Sequence, residues 1–350
     1  MAYMMLTIGE SRRGRRLPTP RTFRDRTNPL DVLDDDEVIR RYRLPRQSII
    51  DLCEALADDL DRATNRSLPT STQVMAALQY FATGSFQRVD GDLHGISQPS
   101  VSRCVNAVST TLCRRASTYI KFAADEASQR HVVGQFHDIA GFPNVLGCVD
   151  GTQIPILAPR VNEYVYVCRK GYHSLNVQGV CDAELRFTNI VAKYPGSSHD
   201  SFIWKNSSVC LYLQQMTVTG GWLLGDSGYL LSDCFMTPLN NATSVAEQRY
   251  NRAHVKTRNT IERAFGLLKM RFRCLHRTGG CLQSPPSTCA KIITACAVLH
   301  NICIDKAVPA PEEDNTVTDT PDVTDDATDT VSGNTTGARL RQQLIAKRFV

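Results

Sequence analysis

The spacing of apolar residues changes near residue 140, and this change restricts what the chain can fold into. Before it, from about Pro45 to residue 125, apolar residues recur every three or four positions, which is typical of amphipathic helices. After it come short runs rich in Val, Ile, Tyr and Phe, bounded by Gly, Pro or Asn, which are typical of strands. These runs are 145–150, 153–157, 176–182, 186–194 and 221–229. Two helical stretches follow, at about 257–272 and 288–304. Strands followed by covering helices predict an α/β layered domain behind an all-α region.

The segment GISQPSVSRCVNAVSTTL predicts the second half of a helix-turn-helix. Gly95 and Ile96 form a turn, Ser97 is a good N-cap, and Pro99 lies in the first helical turn, where its missing N–H has no cost. The recognition helix is predicted to run from Gln98 to Arg114. Earlier helices are predicted from about residue 45, at 72–81 and at 86–93.

The predicted recognition helix presents polar side chains on the face opposite its apolar stripe. Side chains of these types hydrogen-bond to base edges and phosphates. We therefore expect DNA contacts from Gln98, Ser100, Arg103 and Asn106. The alternative is an ordinary helical bundle with a polar face.

The charge of the chain is unevenly distributed. The net charge is +5, but the segment 311–330 holds eight acidic residues and no basic residue, so the rest of the chain carries +13. A basic body favours an anionic partner, and nucleic acid fits best. An acidic segment would instead dock on a basic partner or shield the basic body.

Both ends of the chain differ in composition from the body. Residues 1–44 are rich in arginine and predict a basic arm; its RRGRR cluster, Arg12–Arg16, is a nuclear-import signal, a phosphate-binding arm or simply a solvated terminus. Residues 308–338 predict an acidic disordered segment, and 339–350 a short basic helix. Between the ends, we expect a helical DNA-binding region at 45–125 and a catalytic domain at 126–307.

The chain has 13 cysteines, an odd number, with no CxxC pair and no secretory signal, which indicates reduced thiols rather than disulfides. Cys289, Cys296 and Cys303 recur every seven residues on an apolar helix. We interpret them as small buried residues, because four convergent zinc ligands are not apparent in the spacing. No apolar run approaches the ~18–20 residues that span a bilayer, so we expect no membrane partner.

Four acidic residues occupy positions where carboxylates would converge. Asp150, Asp200 and Asp226 are each predicted to lie where a strand ends, and such ends meet at one crevice of an open sheet. Glu262 lies one step from Ile261, at the border of the apolar stripe of its helix. Each aspartate alone would be interpreted as a residue that starts a turn. The three aspartates and Glu262 together instead predict a functional site.

Clustered carboxylates are stable at neutral pH only with cations between them or with raised pKa values. Hard oxygen ligands favour Mg²⁺ or Mn²⁺. Two such ions stabilise the attacking and leaving oxygens of an in-line phosphoryl displacement. The sequence therefore predicts a metal site formed by Asp150, Asp200, Asp226 and Glu262.

Five ordered blocks of the chain resemble the PIF/Harbinger transposase superfamily. They are GCVDGTQIPI, RKGYHSLNVQGVCD, YPGSSHDSFIW, LLGDSGY and NTIERAFGLLKMRFRCL, and together they cover about 145–304. The helix-turn-helix around GISQPSVSR also resembles that family's N-terminal part.

The resemblance implies a ribonuclease-H-like catalytic domain with a DDE carboxylate set and a divalent metal. The motif carboxylates fall on the four residues named above, and we choose Asp150, Asp226 and Glu262 as the catalytic triad with Asp200 as an additional ligand. Further DNA contacts are expected from Lys170 and His173 in RKGYHS. The basic face of the Glu262 helix adds Arg258 and Arg263, while its further basic residues are either DNA contacts or a solvated helix face, namely Lys269, Arg271 and Arg273.

Two functions from different classes follow. The first is a metal-dependent DNA endonuclease, in which activated water cleaves a phosphodiester and leaves a 3′ hydroxyl, without full transposition. The second is a catalytically silent DNA-binding or adaptor protein that retains the fold. The resemblance also implies a Myb-like DNA-binding partner that promotes nuclear entry, and hence a distribution between nucleus and cytoplasm.

Overall fold

A five-stranded mixed sheet lies at the centre of the protein in the computed structural model, which describes residues 28–61, 67–215, 220–311 and 335–350. The sheet order is β3-β2-β1-β4-β5, with β1–β2 and β2–β3 antiparallel and β1–β4 and β4–β5 parallel. The strands are β1 (Val145–Pro155), β2 (Ser174–Cys181), β3 (Phe187–Pro195), β4 (Trp222–Leu224) and β5 (Phe235–Met236).

Helices precede, interrupt and cover this sheet. Those before it are α1 (Pro29–Val32), α2 (Asp35–Tyr42), α3 (Arg46–Leu60), α4 (Thr70–Thr83), α5 (Gln87–Leu93), α6 (Gln98–Arg114), α7 (Ala116–Tyr119) and α8 (Glu126–Ala140). Those after β3 are α9 (Asp200–Lys205), α10 (Ser208–Gln215), α11 (Val245–Arg271), α12 (Pro286–Asp305) and α13 (Thr335–Arg348). The α/β class predicted from the sequence is confirmed.

The predicted elements differ from the observed ones mainly at their ends. The runs 145–150 and 153–157 form one strand, β1, because β2 pairs with it through Pro155. Helix α11 begins twelve residues before the predicted start at Thr257, where Ser244 and Glu247 form a reciprocal capping box.

The predicted basic arm at 1–44 is wrong for its second half. Helix α2 lies within it, and Val38, Tyr42 and Leu44 are fully buried in the core. Its arginines face outward while the apolar positions of the same helix pack inward, which the composition of the segment conceals. The RRGRR cluster lies outside the described residues.

The predicted recognition helix has the observed bounds of α6, and α5 precedes it across a short turn. Helix α6 belongs to a hydrophobic core that continues into the half of the chain that carries the sheet, since Val105 and Val108 share it with Ile292 and Leu299 of α12. The boundary drawn at residue 125 therefore does not separate two cores. Whether this helical pair binds DNA stays a prediction.

Helix α12 is the central covering helix of the protein. Its length and composition would suffice to cross a membrane, but 61% of the apolar window is buried inside the protein. Cys289, Cys296 and Cys303 are fully buried along it, which confirms that they are packing residues. All 13 cysteines are free.

The C-terminal helix is longer than predicted and is part of the core. It starts at Thr335, within the segment expected to be disordered, and most of that segment lies outside the described residues. At its end Phe349 packs against Phe142 and Tyr250, with ring centroids 5.7 and 5.5 Å apart. Helix α13 thus supports the N-terminal half of α11.

Candidate active site

The parallel pairing of β1 with β4 brings two of the predicted carboxylates together. Cys148 on β1 is in register with Leu224, the last residue of β4, so Asp150 and Asp226 each follow two positions later. Asp150 lies in the middle of β1 and not at a strand end as predicted, because β1 continues alongside β2 after β4 has stopped. The Asp226 carboxylate accepts a hydrogen bond from the Gly228 N–H at 3.1 Å, which fixes the turn that carries it.

Helix α11 crosses this part of the sheet closely enough to add a third carboxylate. Gly179, the β2 partner of Asp150, has no side chain, and a Cβ there would lie 2.8 Å from the Phe265 ring. The predicted stripe of Ile261, Ala264 and Phe265 is buried against the sheet. Glu262 consequently lies at the edge of the buried face, as the helical periodicity predicts.

Arg258, one helical turn before Glu262, links the carboxylates. Its Nη1 donates to Asp150 Oδ2 at 3.0 Å, and its Nη2 pairs with Glu262 Oε1. The side chains of Arg258 and Asp150 are each 18% exposed, whereas that of Glu262 is 45% exposed. The structure thus supplies an internal cation for the acidic cluster.

Asp150 has a strongly perturbed acidity. The pKa of its carboxyl is raised to about 7, chiefly by burial; Arg258 acts to lower this pKa, and the neighbouring Asp226 and Asp200 act to raise it. Perturbed carboxyl groups in clefts mark functional sites more often than structural ones.

Asp200 is held differently from the other three carboxylates. It begins α9, and its Oδ1 accepts a hydrogen bond from Asn176 Nδ2 at 2.7 Å. A Cβ at Gly151 would lie 2.4 Å from the same oxygen, so Asp200 packs directly against the backbone beside Asp150. Asp200 does not line the cavity that holds Asp150, Asp226 and Glu262, so its role as an additional ligand stays a prediction.

A buried amide and phenol support the cluster from beneath. Gln178 on β2 donates to the Tyr229 hydroxyl at 3.1 Å and lies 3.3 Å from the Asp200 carbonyl. Burial, and then the charges of Asp200, Asp150 and Asp226, raise the pKa of Tyr229 well above its usual value. The tyrosine therefore stays protonated among three carboxylates.

The triad lines a single open cavity of 330 Å³. Asp150, Asp226 and Glu262 form its acidic floor. Basic and aromatic side chains complete its walls, namely Lys170, Tyr172, Arg258, Lys269, His276 and Arg277. Acidic groups surrounded by cations match a bound metal with a phosphate above it.

The donor chemistry of the site fits a divalent cation. Within the described ranges no three Asp, Glu, His or Cys side chains form a ready-made metal site, and Arg258 bonds to two of the carboxylates. However, Asn176 Oδ1 and Gln178 Oε1 are buried without a hydrogen-bond partner. Oxygen atoms alone, several of them unsatisfied, are what Mg²⁺ or Mn²⁺ prefers.

The predicted base-reading residues lie on one exposed side of α6. Gln98, Arg103 and Asn106 are exposed, and Ser100 is half-buried. Arg103 is held by its own helix, since its Nε donates to the Pro99 carbonyl and its Nη2 to Ser100 Oγ, both at 3.2 Å. Gln98 donates to Gln87 of α5 at 3.0 Å.

The other predicted DNA contacts are distributed around the site. Lys170 lines the cavity, and His173 Nε2 lies 2.9 Å from Glu163 Oε1. Arg258 faces the carboxylates, and Arg263 is exposed beside Glu262. The prediction that Arg271 faces DNA is wrong, because it is 2% exposed and donates to the Val308 carbonyl at 2.7 Å.

Sequence reasoning missed the supporting residues Asn176, Gln178 and Tyr229. Asn176 and Gln178 alternate with apolar residues on β2, and polar side chains inside a fully buried strand are the signal that would have identified them. The bridging role of Arg258 could have been inferred from its spacing of four residues before Glu262 on one helix.

Comparisons with known proteins identify the family of the chain. The profile of the family described as "DDE superfamily endonuclease" matches residues 149–301, which contain all four carboxylates. No solved structure matches the chain.

Several curated protein sequences are similar to the chain over most of their length. The mouse protein named "Putative nuclease HARBI1" is 39% identical over 329 residues, covering 91% of this chain and 92% of its own. The human protein of that name is 43% identical over 278 residues, covering 79% and 80%. The Arabidopsis "Protein ALP1-like" is 27% identical over 306 residues, covering 80% and 72%. The chain belongs to the Harbinger-transposase-derived family of DDE superfamily endonucleases.

Proposed function

We propose that this protein is a divalent-metal-dependent DNA endonuclease that hydrolyses phosphodiester bonds without completing transposition. The observation that carries the proposal is the meeting of Asp150, Asp226 and Glu262 at one cavity with a basic rim. The family and the relatives named as nucleases support phosphodiester hydrolysis. The basic body of the chain supports DNA as the substrate.

Asp150, Asp226 and Glu262 would hold the cation, Mg²⁺ or Mn²⁺, with Asp200 as an additional ligand. When bound, such a cation lowers the pKa of water and offsets the charge that develops on the phosphate oxygens. The protein contributes the fixed geometry: the β1–β4 register places two aspartates, and the packing of Phe265 against Gly179 places the helix of Glu262.

Arg258 has two successive roles in this proposal. It first neutralises Asp150 and Glu262, which lets the carboxylates remain close together without a cation. Once the carboxylates are otherwise compensated, its guanidinium is available to a phosphate at the cavity mouth, the geometry that arginine favours. Lys170, Lys269 and Arg277 on the cavity wall would attract the same strand.

The alternative function is a DNA-binding adaptor that retains the fold without catalysis. One observation favours it: Arg258 already pairs with Asp150 and Glu262, so these two carboxylates have a compensating charge without metal. The intact set of four carboxylates and the raised pKa of Asp150 favour the enzyme.

The two functions are distinguished by nicking of a supercoiled plasmid. The purified full-length chain should convert supercoiled to open-circular DNA with Mg²⁺ or Mn²⁺, and EDTA should stop the conversion. A matched preparation of Glu262→Gln excludes a contaminating nuclease. If neither cation supports cleavage across a wide range of protein and salt concentration while DNA is still bound, the adaptor function replaces the enzyme.

We further propose that a Myb-like DNA-binding partner brings the protein into the nucleus and that it divides between nucleus and cytoplasm. At 38.9 kDa the chain is near the size at which passive nuclear entry slows. Expression of the chain alone, with and without alanines in place of Arg12–Arg16, tests this. Full nuclear accumulation that the alanines abolish would mean an autonomous import signal and would exclude the carrier.

A further inference from the structure

The loop that joins β1 to β2 carries an unusual surface. This rim loop, residues 157–173, exposes four apolar or aromatic side chains to solvent. Their exposed fractions are 55% for Leu157, 73% for Val161, 76% for Tyr164 and 37% for Val167. Tyr164 has the most exposed ring in the described part of the chain.

The rim loop is held firmly at its ends and in its middle. The Leu157 N–H donates to the Leu282 carbonyl at 3.0 Å, and the Cys168 N–H donates to the Tyr172 carbonyl at 2.9 Å. Between them the Ser197 N–H donates to the Val165 carbonyl at 3.1 Å. Tyr164 lies in a short 3₁₀ turn, Glu163–Tyr166, next to this last anchor. The exposed ring of Tyr164 is thus attached to a backbone segment that is held in place by hydrogen bonds.

The rim loop is continuous with the candidate active site. Lys170 and Tyr172, at its second end, line the cavity that contains the triad. Tyr172 is in turn covered by the Arg277 guanidinium, 5.2 Å from its ring centroid. A DNA strand whose phosphate contacts Lys170 would therefore also meet the second end of the rim loop.

The charge of the rim loop favours a negatively charged binding partner. Its basic residues Arg160, Arg169 and Lys170 are exposed, and its one acidic residue, Glu163, lies beside His173. Exposed aromatic rings interleaved with cations are the usual surface for unpaired nucleic-acid bases, because every base offers a π-face and every nucleotide a phosphate. Protein–protein interfaces are also rich in Tyr and Arg, so a protein partner is the other outcome that the test must distinguish.

We propose that Tyr164 stacks on an unpaired DNA base next to the cleaved phosphodiester, with Arg160 and Lys170 on the adjoining phosphates. This assignment rests on the proposed function, since it takes the cavity to be the place of DNA cleavage. It adds that the preferred substrate has at least one unpaired base beside the cleaved bond. Stacking on the ring is indifferent to base identity, so the rim loop would recognise strand opening rather than sequence.

The test is DNA binding by the full-length chain in EDTA, where no cleavage occurs. The probes are a fluorescein-labelled 12-nucleotide single strand of mixed sequence and its 12-base-pair duplex, and fluorescence anisotropy gives each Kd. Tyr164→Ala should weaken single-strand binding between about 5-fold and 100-fold, the range of one lost stack, and duplex binding less than about 2-fold. Tyr164→Phe should behave as wild type, and so should Leu211→Ala, an apolar residue on α10 that is 56% exposed.

Each other outcome overturns the proposal in a recognisable way. Equal weakening on both probes would make Tyr164 a general contact, and no weakening on either would remove it from the DNA surface. If Tyr164→Ala leaves DNA binding intact but changes the oligomeric mass in light scattering, the rim loop is a protein contact. If the wild-type chain binds neither probe, the proposed function fails together with this inference, whereas binding with an indifferent Tyr164 refutes the inference alone.

Discussion

Arg258 and Asp150 form an ion pair at the centre of the site, with Nη1 3.0 Å from Oδ2 and both side chains 18% exposed. The same guanidinium pairs with Glu262. A cation that binds the carboxylates must therefore compete with an arginine of the same chain. Because of this competition, we expect Arg258 to increase the stability of the metal-free protein and to decrease its affinity for metal.

Substitution of Arg258 by Gln should lower stability without metal and increase the stabilisation by metal. Removing one partner of a largely buried pair leaves carboxylates uncompensated, and we expect a loss of about 1–3 kcal/mol in EDTA. Added Mn²⁺ should then raise the melting temperature of the variant more than that of wild type, because the competitor is gone. Arg263→Gln, an exposed neighbour, is the control. An identical Mn²⁺-dependent rise in both proteins would show that Arg258 does not occupy the metal site.

Asp150→Asn and Glu262→Gln should each abolish plasmid nicking while the fold is retained. Loss of a carboxylate removes a cation ligand. For Asp150→Asn the stability without metal should stay equal or rise slightly, because burial and the neighbouring aspartates outweigh the pair of Asp150 with Arg258. Nicking assays and circular dichroism measure the two effects. Glu126→Gln, an exposed acidic residue at the start of α8, should cleave normally. Near wild-type cleavage by either site variant would refute the ligand assignment.

The stability advantage of Asp150→Asn should grow as pH rises from 4 to 7. Burial raises the pKa of Asp150 to about 7, whereas an unfolded aspartate titrates near 3.9. The folded wild-type protein therefore holds this proton more tightly than the unfolded protein. The stabilisation that results is fully present below about pH 4, and it is lost as pH rises through about 7, whereas Asp150→Asn does not have it at any pH. The slope is at most about 1.4 kcal/mol per pH unit.

Urea unfolding of both proteins in EDTA at several pH values measures this difference. Asp90 and Asp182, whose pKa values burial also raises to about 6, titrate in both proteins and cancel in the comparison. A constant difference between variant and wild type from pH 4 to 7 would show that Asp150 titrates normally.

Local patterns allowed the sequence to predict the elements that carry the carboxylates. Apolar periodicity identified α6 at its observed bounds and the buried stripe of α11, and short runs of β-branched residues identified β1 to β4. The meeting of Asp150 and Asp226 depends on the register of β1 with β4, which are separated by some 70 residues. The pairing register of two such distant strands is set by tertiary packing, so it cannot be predicted from the residues of either strand alone.

Sequence patterns failed to predict those elements and residues whose structure depends on tertiary contacts more than on local amino-acid composition. Helix α2 was interpreted as part of a basic arm because residues 1–44 as a whole are rich in arginine, although Val38 and Tyr42 on this helix are fully buried. Strand β5 is two residues long and exists only because β4 pairs with it. Asn176 and Gln178 have a polar role inside a buried strand that becomes visible only when Asp200 and Tyr229 are placed beside them.

Arg103→Ala should weaken sequence preference on DNA if α6 reads base edges. A lost base contact is worth about 1–3 kcal/mol at one base-pair position. Binding of a randomised duplex pool followed by sequencing, with Kd values for selected and mutated sites, measures this. Uniform weakening on all sequences would make Arg103 a phosphate contact, and unchanged binding would remove the recognition-helix hypothesis.

Gly151→Ala should impair cleavage by displacing Asp200 while leaving all four carboxylates in the chain. The added Cβ would lie 2.4 Å from Asp200 Oδ1 and 3.1 Å from Asn176 Oδ1, so the carboxylate, its amide partner or β1 must shift. Misplacement of such groups by about 1 Å costs on the order of 100-fold in rate.

The control for Gly151→Ala is the same substitution at Gly134, in the middle of α8, where a Cβ would meet no atom within 4 Å. Gly134→Ala should cleave normally and gain up to about 1 kcal/mol of stability, because alanine is the better helix former. Rates under excess Mn²⁺ and melting temperatures of both variants give the comparison. Full activity in Gly151→Ala would mean that the position of Asp200 does not matter for cleavage, and its role as an additional ligand would be withdrawn.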